Sequence, residues 1–312
     1  MNWMFDGKGR YALKRVIITG SGGYLGSAVI QQMLHQTDSV IYAVTSQPEK
    51  VAEKYAGEQR VVCIGNECLE KQELPQADVL LHLAFARRFS TDQQIAQSIA
   101  FSRTVFEAAK ACRIPGLIYV SSQGVYGNTP DLRDVENTPV SPAGLYTLAK
   151  FAAEEVLWAV LGAQDSKVKC TAVRLDSIAG NQKMLPAFVA NAIEKQAIHV
   201  VGGSQVFSFM DVRDAASGLM ALIDLAPEKW QKIYNLGPHD RRFTIVDLAE
   251  LTAKVAAKRG YGKVNLTLEK KDIAQFAGMN AEPFMQDTGW KPQYSMEDII
   301  DNLFDEYLAK SK

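Results

Sequence analysis

The first 175 residues alternate short, continuously apolar runs with longer stretches whose apolar positions recur at helical spacing. Residues 15–19 (RVIIT), 40–45 (VIYAVT), 60–64, 78–84 (DVLLHLA), 117–121 (LIYVS) and 168–175 read as strands. Apolarity that is unbroken rather than alternating marks strands covered on both faces. Residues 25–34, 93–112 and 146–161 read as helices between them. Strand and helix in alternation predict an α/β fold with a doubly wound parallel sheet. After residue 174 the rhythm weakens: 185–195 and 245–259 read as helices, 198–201 and 264–268 as short strands, and 296–308 as an amphipathic helix. These predict a smaller, mixed α/β C-terminal lobe over the carboxyl ends of the strands, where ligands of such sheets sit.

The first strand runs into Thr19-Gly20-Ser21-Gly22-Gly23-Tyr24-Leu25-Gly26, and a helix follows. In that context three of the glycines have separate duties. Gly20 lets the chain turn sharply, Gly23 lets backbone N–H groups approach a pyrophosphate, and Gly26 lets the helix pack close to the sheet. The helix N-terminus then faces the negative charge. The turn predicts a Rossmann-type sheet holding a nicotinamide dinucleotide against Gly20, Gly23, Tyr24, Leu25 and Gly26. The expected organisation is an NAD(P)-binding domain over residues 1–175, with 204–236 returning to it, and a substrate-binding lobe made of 176–203 and 237–312.

The end of the second strand usually separates the two nicotinamide cofactors. An acid there holds a free 2′-hydroxyl, and an arginine accommodates a 2′-phosphate. This chain has Thr45, Ser46 and Gln47, with Lys50 nearby. Hydroxyls and a lysine without an acid lean toward NADP, with NAD as the alternative. Asn66 and Glu67, just past the third strand, read either as contacts of the adenine end or as loop residues, the loop being the commoner reading for Glu67.

Tyr146 has a lysine four residues on, at Lys150. Residues at i and i+4 share a helix face. A free phenol titrates near ~10, so ionising one near neutrality takes about 4 kcal/mol. An ammonium about 4 Å away in a partly desolvated site supplies energy on that order. Tyr146 is therefore the candidate general base toward an alcohol and general acid toward a ketone. Lys150 tunes it, and both would also line the cofactor. Ser122, at the end of the fifth strand, can hold the reacting oxygen against Tyr146; its bland reading is a loop cap.

As an ordered set these residues resemble the extended short-chain dehydrogenase/reductases, the family of NAD-dependent epimerases and dehydratases acting on nucleotide sugars. The likeness runs through the TGxxGxxG turn, His82-Leu83-Ala84, Ser122 before Val125-Tyr126-Gly127, Tyr146/Lys150 and Arg174-Leu175. Farther on come Val212-Arg213-Asp214, Tyr234-Asn235-Leu236-Gly237 and Gly289-Trp290-Lys291-Pro292. The resemblance implies that Leu83, Ala84 and Phe85 lie along the cofactor. It implies substrate contacts at Arg87, Gln123, Ser177 and Phe207. His82 reads as a strand-end residue near the cofactor, and Trp290 as packing of the small lobe.

The departures narrow the chemistry. The family's 4,6-dehydratases carry an Asp-Glu pair after the catalytic hydroxyl residue, where this chain has Gln123 and Gly124, so dehydration is not expected. Its epimerases carry an Asn where Ser177 stands here, with Asp176 before it. They also carry an arginine that clamps the sugar diphosphate, and the matching place holds Phe207, before Ser208-Phe209. A phenyl ring for a guanidinium removes a phosphate clamp. Asp176 would repel a diphosphate if it points inward. Lys183, Arg241 and Arg242 are candidate compensations, although solvent-exposed charges are the commoner explanation of such residues.

Composition adds exclusions. A formal net charge of -1 argues against nucleic acid or a membrane surface as partner. Residues 1–15 hold no apolar core of signal-peptide length, and no run of about 18 apolar residues suits a bilayer. The four cysteines, Cys63, Cys68, Cys112 and Cys170, form no CxxC pair and no metal spacing. They read as reduced thiols of a cytoplasmic protein. His35, His199 and His239 are scattered and carry no assigned chemistry.

The expectation is an NAD(P)-dependent oxidoreductase or epimerase working by hydride transfer at a hydroxyl or keto carbon of a nucleotide sugar. The alternatives are a reductase of a smaller, non-nucleotide ketone or alcohol, and a non-catalytic NAD(P) sensor. The resemblance also implies a homodimer through the helices bearing residues 101–112 and 146–161.

Overall fold

A computed structural model describes residues 13–163 and 166–310, so residues 1–12 of the segment read for a leader lie outside the described part. The strands of the first half are β1 (Arg15–Thr19), β2 (Val40–Thr45), β3 (Val61–Gly65), β4 (Val79–His82), β5 (Gly116–Ser122) and β6 (Lys169–Leu175). Between them run α1 (Tyr24–Gln36), α2 (Pro48–Lys54), α3 (Glu67–Glu70), α4 (Asp92–Ala111) and α5 (Leu145–Leu161). Then follow α6 (Met184–Lys195), β7 (Ala197–Gly202), β8 (Val206–Phe207), α7 (Val212–Asp224) and β9 (Ile233–Leu236). The chain closes with β10 (Phe243–Thr244), α8 (Ile245–Lys258), β11 (Asn265–Lys270), α9 (Glu282–Thr288) and α10 (Met296–Lys310).

The central sheet is parallel and has seven strands in the order β3-β2-β1-β4-β5-β6-β9. The order reverses beside β1, which pairs β2 on one side and β4 on the other. This is the doubly wound Rossmann-like arrangement the apolar runs predict. Val16, Ile17, Ile18, Leu80 and Leu81 have no exposed surface. Each such side chain contributes about 1.5–3 kcal/mol against leaving it in water. Helix α4 begins at a reciprocal capping box between Thr91 and Gln94, which satisfies two of the N–H groups a helix start leaves open.

The described residues fall into two compact units. One takes the residues up to Tyr119, with Ala153–Thr171 and Leu219–Trp230. The other takes Val120–Ala152, Ala172–Gly218 and the residues from Gln231 on. In the second unit β7 pairs β11 in parallel and β8 pairs β10 antiparallel. Phe188, Leu248, Ile300 and Phe304 of α6, α8 and α10 form its core with Ile198 and Val200 of β7. Helix α8 also starts at a capping box, Thr244 with Asp247.

Helices predicted at 25–34, 93–112, 146–161, 185–195, 245–259 and 296–308 all exist, with ends shifted by a residue or two. Periodicity did not reveal α2, α3, α9, β8 or β10, which are too short to show a period, and the sequence reading also passed over α7, which at 13 residues is long enough to show one. Nor did it mark β9, where Asn235 breaks the apolar run of Ile233-Tyr234-Asn235-Leu236.

Candidate active site

The first unit carries the glycine turn. Gly20 has φ +71, and a Cβ there would stand 2.8 Å from the Ala84 nitrogen at the end of β4. A Cβ on Gly26 would collide with the Gly20 carbonyl oxygen. Both positions therefore require glycine, and the turn is held directly against the β4 end. Helix α1 has no side-chain cap and no acid in its first turn, so its N-terminus suits an anion.

Beneath the turn, the Thr19 hydroxyl lies 2.6 Å from His82 Nδ1, and His82 Nε2 lies 3.0 Å from Ser102 Oγ. Ser102 donates its proton to the Ser98 carbonyl. It therefore accepts from Nε2–H, and Nδ1 accepts from Thr19. His82 is thus a wholly buried tie between β1, β4 and α4. Leu83, Ala84 and Phe85 continue from it, half-buried, and Asn66 is likewise half-buried at the start of α3. Thr45 is half-buried, whereas Ser46 and Lys50 are exposed.

The second unit carries Ser122, Tyr146 and Lys150. Lys150 is buried, 5% exposed, and its ammonium donates to the Val120 carbonyl of β5 at 2.7 Å. Gly124 packs against the first turn of α5, where its Cβ would stand 2.6 Å from Thr147 Cγ2. These two contacts fasten α5 to the end of β5 on either side of Ser122. The Ser122 oxygen accepts from the Gly124 N–H at 3.1 Å, which leaves the hydroxyl proton to donate elsewhere. Ser122 therefore caps its turn, and that bond does not use up the donor the chemistry needs. Tyr146 is half-buried, one helical turn from Lys150 on the same face.

Behind Ser122 lies a buried polar network. Gln123 Nε2 donates to Asp176 and, at 3.2 Å, to Ser177 Oγ. Gln123 Oε1 accepts from Arg133 at 2.9 Å. Asp176 accepts further from the Ser177 N–H at 2.6 Å and the Ser208 hydroxyl at 2.5 Å. Burial pushes the Asp176 carboxyl up to about 6, against the pull of these donors and of the Arg133 charge. Burial likewise lowers Arg133, which also donates to the carbonyls of Gly127 and Phe276. Asp176 is enclosed rather than presented bare to a ligand.

Gln123 and Ser177, expected to meet substrate, are thus brought together. Phe207 immediately precedes Ser208, whose hydroxyl meets Asp176. Its ring stacks on Phe209 at 5.8 Å, and Phe243 is its strand partner. Arg87 belongs to the other unit, exposed in a turn closed by Ser90. Arg241 donates to the Tyr294 carbonyl and Arg242 to the Pro130 carbonyl, and Lys183 is exposed. Arg174 lies over the Tyr126 ring at 4.7 Å, and the Tyr126 hydroxyl donates to Asn235 at 2.8 Å. Trp290 is buried and donates to Ser217. Arg133 went unread in the sequence because it sits in an aperiodic loop and its side-chain partners lie as far as 145 residues away.

No group of three or more His, Cys, Asp or Glu among the described residues is arranged to hold a metal ion. No described helix is long and apolar enough to cross a membrane.

The glycine turn and the seven-stranded parallel sheet define a Rossmann-like α/β protein. The profile of the NAD dependent epimerase/dehydratase family matches residues 16–237, and the chain belongs to that family. It is 25% identical to dTDP-glucose 4,6-dehydratase 1 of Escherichia coli K12, over 96% of this chain and 94% of that protein. It is 22% identical to the low-salt glycan biosynthesis protein Agl12 of Haloferax volcanii, over 94% of this chain and 98% of that protein. In fold it is similar to UDP-glucuronic acid 4-epimerase of Bacillus cereus in complex with NAD, with a TM-score of 0.79, 17% identity, and 96% and 100% of the two chains covered. It is also similar to the dTDP-glucose 4,6-dehydratase of Bacillus anthracis in complex with NAD, with a TM-score of 0.77, 20% identity, and 96% and 98% covered.

Proposed function

We propose that this protein is a nicotinamide-dependent oxidoreductase or epimerase acting at a hydroxyl or keto carbon of a nucleotide sugar, without 4,6-dehydration. The observation that carries the proposal is the fastening of α5, which bears Tyr146 and Lys150, to the β5 end beside Ser122, whose hydroxyl proton is not used by its bond from Gly124. The dinucleotide, when bound, accepts or returns a hydride. Ser122 donates to the reacting oxygen, Tyr146 takes or returns its proton, and Lys150 lowers the cost of the phenolate. The glycine turn, uncapped at α1, suits the pyrophosphate.

Loss of water across two sugar carbons requires an acid and a base besides Tyr146. The two positions after Ser122 supply neither. Both amide protons of Gln123 are engaged, and Gly124 has no side chain and no room for one beside Thr147. The nucleotide-sugar assignment draws on the family and on the names its relatives carry. A second reading, a smaller ketone or alcohol without a diphosphate, is favoured by the stacked Phe207 ring in place of a guanidinium. Exposed Leu145 and Leu148 on α5 support a homodimer, which sedimentation tests.

The deciding assay incubates the purified chain with NAD or NADP and, separately, UDP-glucose, UDP-glucuronic acid, dTDP-glucose and uncharged ketones. Proton NMR reads inversion or oxidation at the sugar ring, and mass reads loss of water. Turnover of uncharged ketones alone would reject the nucleotide-sugar reading, and a product lighter by one water would reject the exclusion of dehydration.

A further inference from the structure

The end of β2 lacks an acid, yet the structure supplies one from the neighbouring strand. Glu67 opens α3, immediately after β3, and its side chain folds back over the strand end. The carboxyl group occupies the space that a Cβ on Gly65 would take. Gly65 is the register partner of Thr45, the last residue of β2. Parallel partners point to the same face of a sheet, about 4.8 Å apart. The Thr45 hydroxyl in turn faces the glycine turn, 3.9 Å from where a Gly22 Cβ would stand. The Glu67 carboxylate therefore stands about one strand spacing from Thr45, on the face that carries the turn. All four residues belong to one unit.

We propose that Glu67 selects the cofactor: its carboxylate accepts a hydrogen bond from the free 2′-hydroxyl of NAD and repels the 2′-phosphate of NADP. The proposal rests on the reading that the turn after β1 holds a dinucleotide. It reverses the lean toward NADP that Thr45, Ser46 and Lys50 alone suggest. The charges around this corner agree. Helix α2 carries Glu49 and Glu53 against Lys50 and Lys54, so it offers no net cation. Lys54 lies over the Tyr55 ring at 5.6 Å. Arg60 is committed to Glu58 and to the carbonyls of Thr37 and Leu34. Lys50 and, at the end of α3, Lys71 are exposed cations that could oppose Glu67. Glycine at 65 is what lets the carboxyl lie over the strand end, since any side chain there would displace it.

Titration calorimetry of the purified chain with NAD+ and NADP+ separately tests the assignment. The wild type should bind NAD+ at least about 10-fold more tightly, which is about 1.4 kcal/mol. Glu67→Gln should narrow that gap at least about 5-fold through tighter NADP+ binding, with NAD+ changing less than about 3-fold. Glu67→Lys should reverse the preference. Gly65→Ala, which evicts the carboxyl while keeping its charge nearby, should narrow the gap in the same direction. Equal or tighter NADP+ binding by the wild type would overturn the proposal, as would a gap unmoved by Glu67→Gln. Failure of both dinucleotides to bind would instead overturn the reading of the turn, and this assignment with it.

Discussion

Gly124 and Thr147 are packed so closely that the smallest side chain at Gly124 would stand 2.6 Å from the Thr147 methyl group. Thr147 follows Tyr146, and Gly124 lies two residues past Ser122. One close contact therefore sets the serine hydroxyl and the start of the tyrosine helix against each other. The Lys150–Val120 bond repeats the fastening one turn along α5.

Replacing Tyr146 by Phe removes the proton carrier and keeps the ring. Turnover should fall by about 10²–10⁴-fold, the usual contribution of positioned acid–base groups. NAD affinity measured by calorimetry should change by less than about 3-fold, because the proposed function puts the pyrophosphate at the turn and not at Tyr146. Turnover that survives the substitution would remove Tyr146 from the mechanism.

Asp176 makes folding depend on pH. Its carboxyl titrates at about 6 in the folded chain, against about 3.9 in an unfolded one. Between those values the native state holds more protons than the unfolded state, so stability falls as pH rises through the window. A two-unit shift corresponds to about 3 kcal/mol, fully expressed above the folded value. Asp176→Asn keeps a neutral group that can accept from Gln123 and donate to Ser208. Calorimetric melting should find it more stable than wild type at pH 7.5, with the two converging near pH 4. Asp214, also pushed up to about 6 by burial, cancels in that difference. A constant offset at both pH values would contradict the assignment.

Gly26→Ala drives a methyl group into the Gly20 carbonyl and toward the Ser21 Cα at 3.0 Å. Overpacking of this kind costs about 1–3 kcal/mol. The strain falls on the turn, so NAD affinity should drop at least about 10-fold, or about 1.4 kcal/mol, along with the melting temperature. A variant that melts lower and binds NAD normally would dissociate the turn from the cofactor.

Phe207→Arg restores the guanidinium that sugar-diphosphate enzymes of the family carry at the matching place. If the substrate is a nucleotide sugar, binding of UDP should strengthen by about 1.5–3 kcal/mol, the range of hydrogen bonds to charged groups. Weak UDP binding by both wild type and variant would favour the smaller, uncharged substrate.

The predicted sheet strands, the glycine turn and the Tyr146–Lys150 pair were legible in the chain because each is local. A buried parallel strand declares itself by unbroken apolarity, a pyrophosphate turn by the spacing of its glycines, and a helix face by an interval of four residues. Folding decided what no interval records. It enclosed Asp176 within donors from Gln123, Ser177 and Ser208. It brought Arg133, from a loop without periodicity, onto Gln123. It laid the Glu67 carboxyl over Gly65 beside the end of β2. Hydrogen-bond partners and charge positions depend on distances between segments far apart in the chain, and those distances come into being only when the chain is folded.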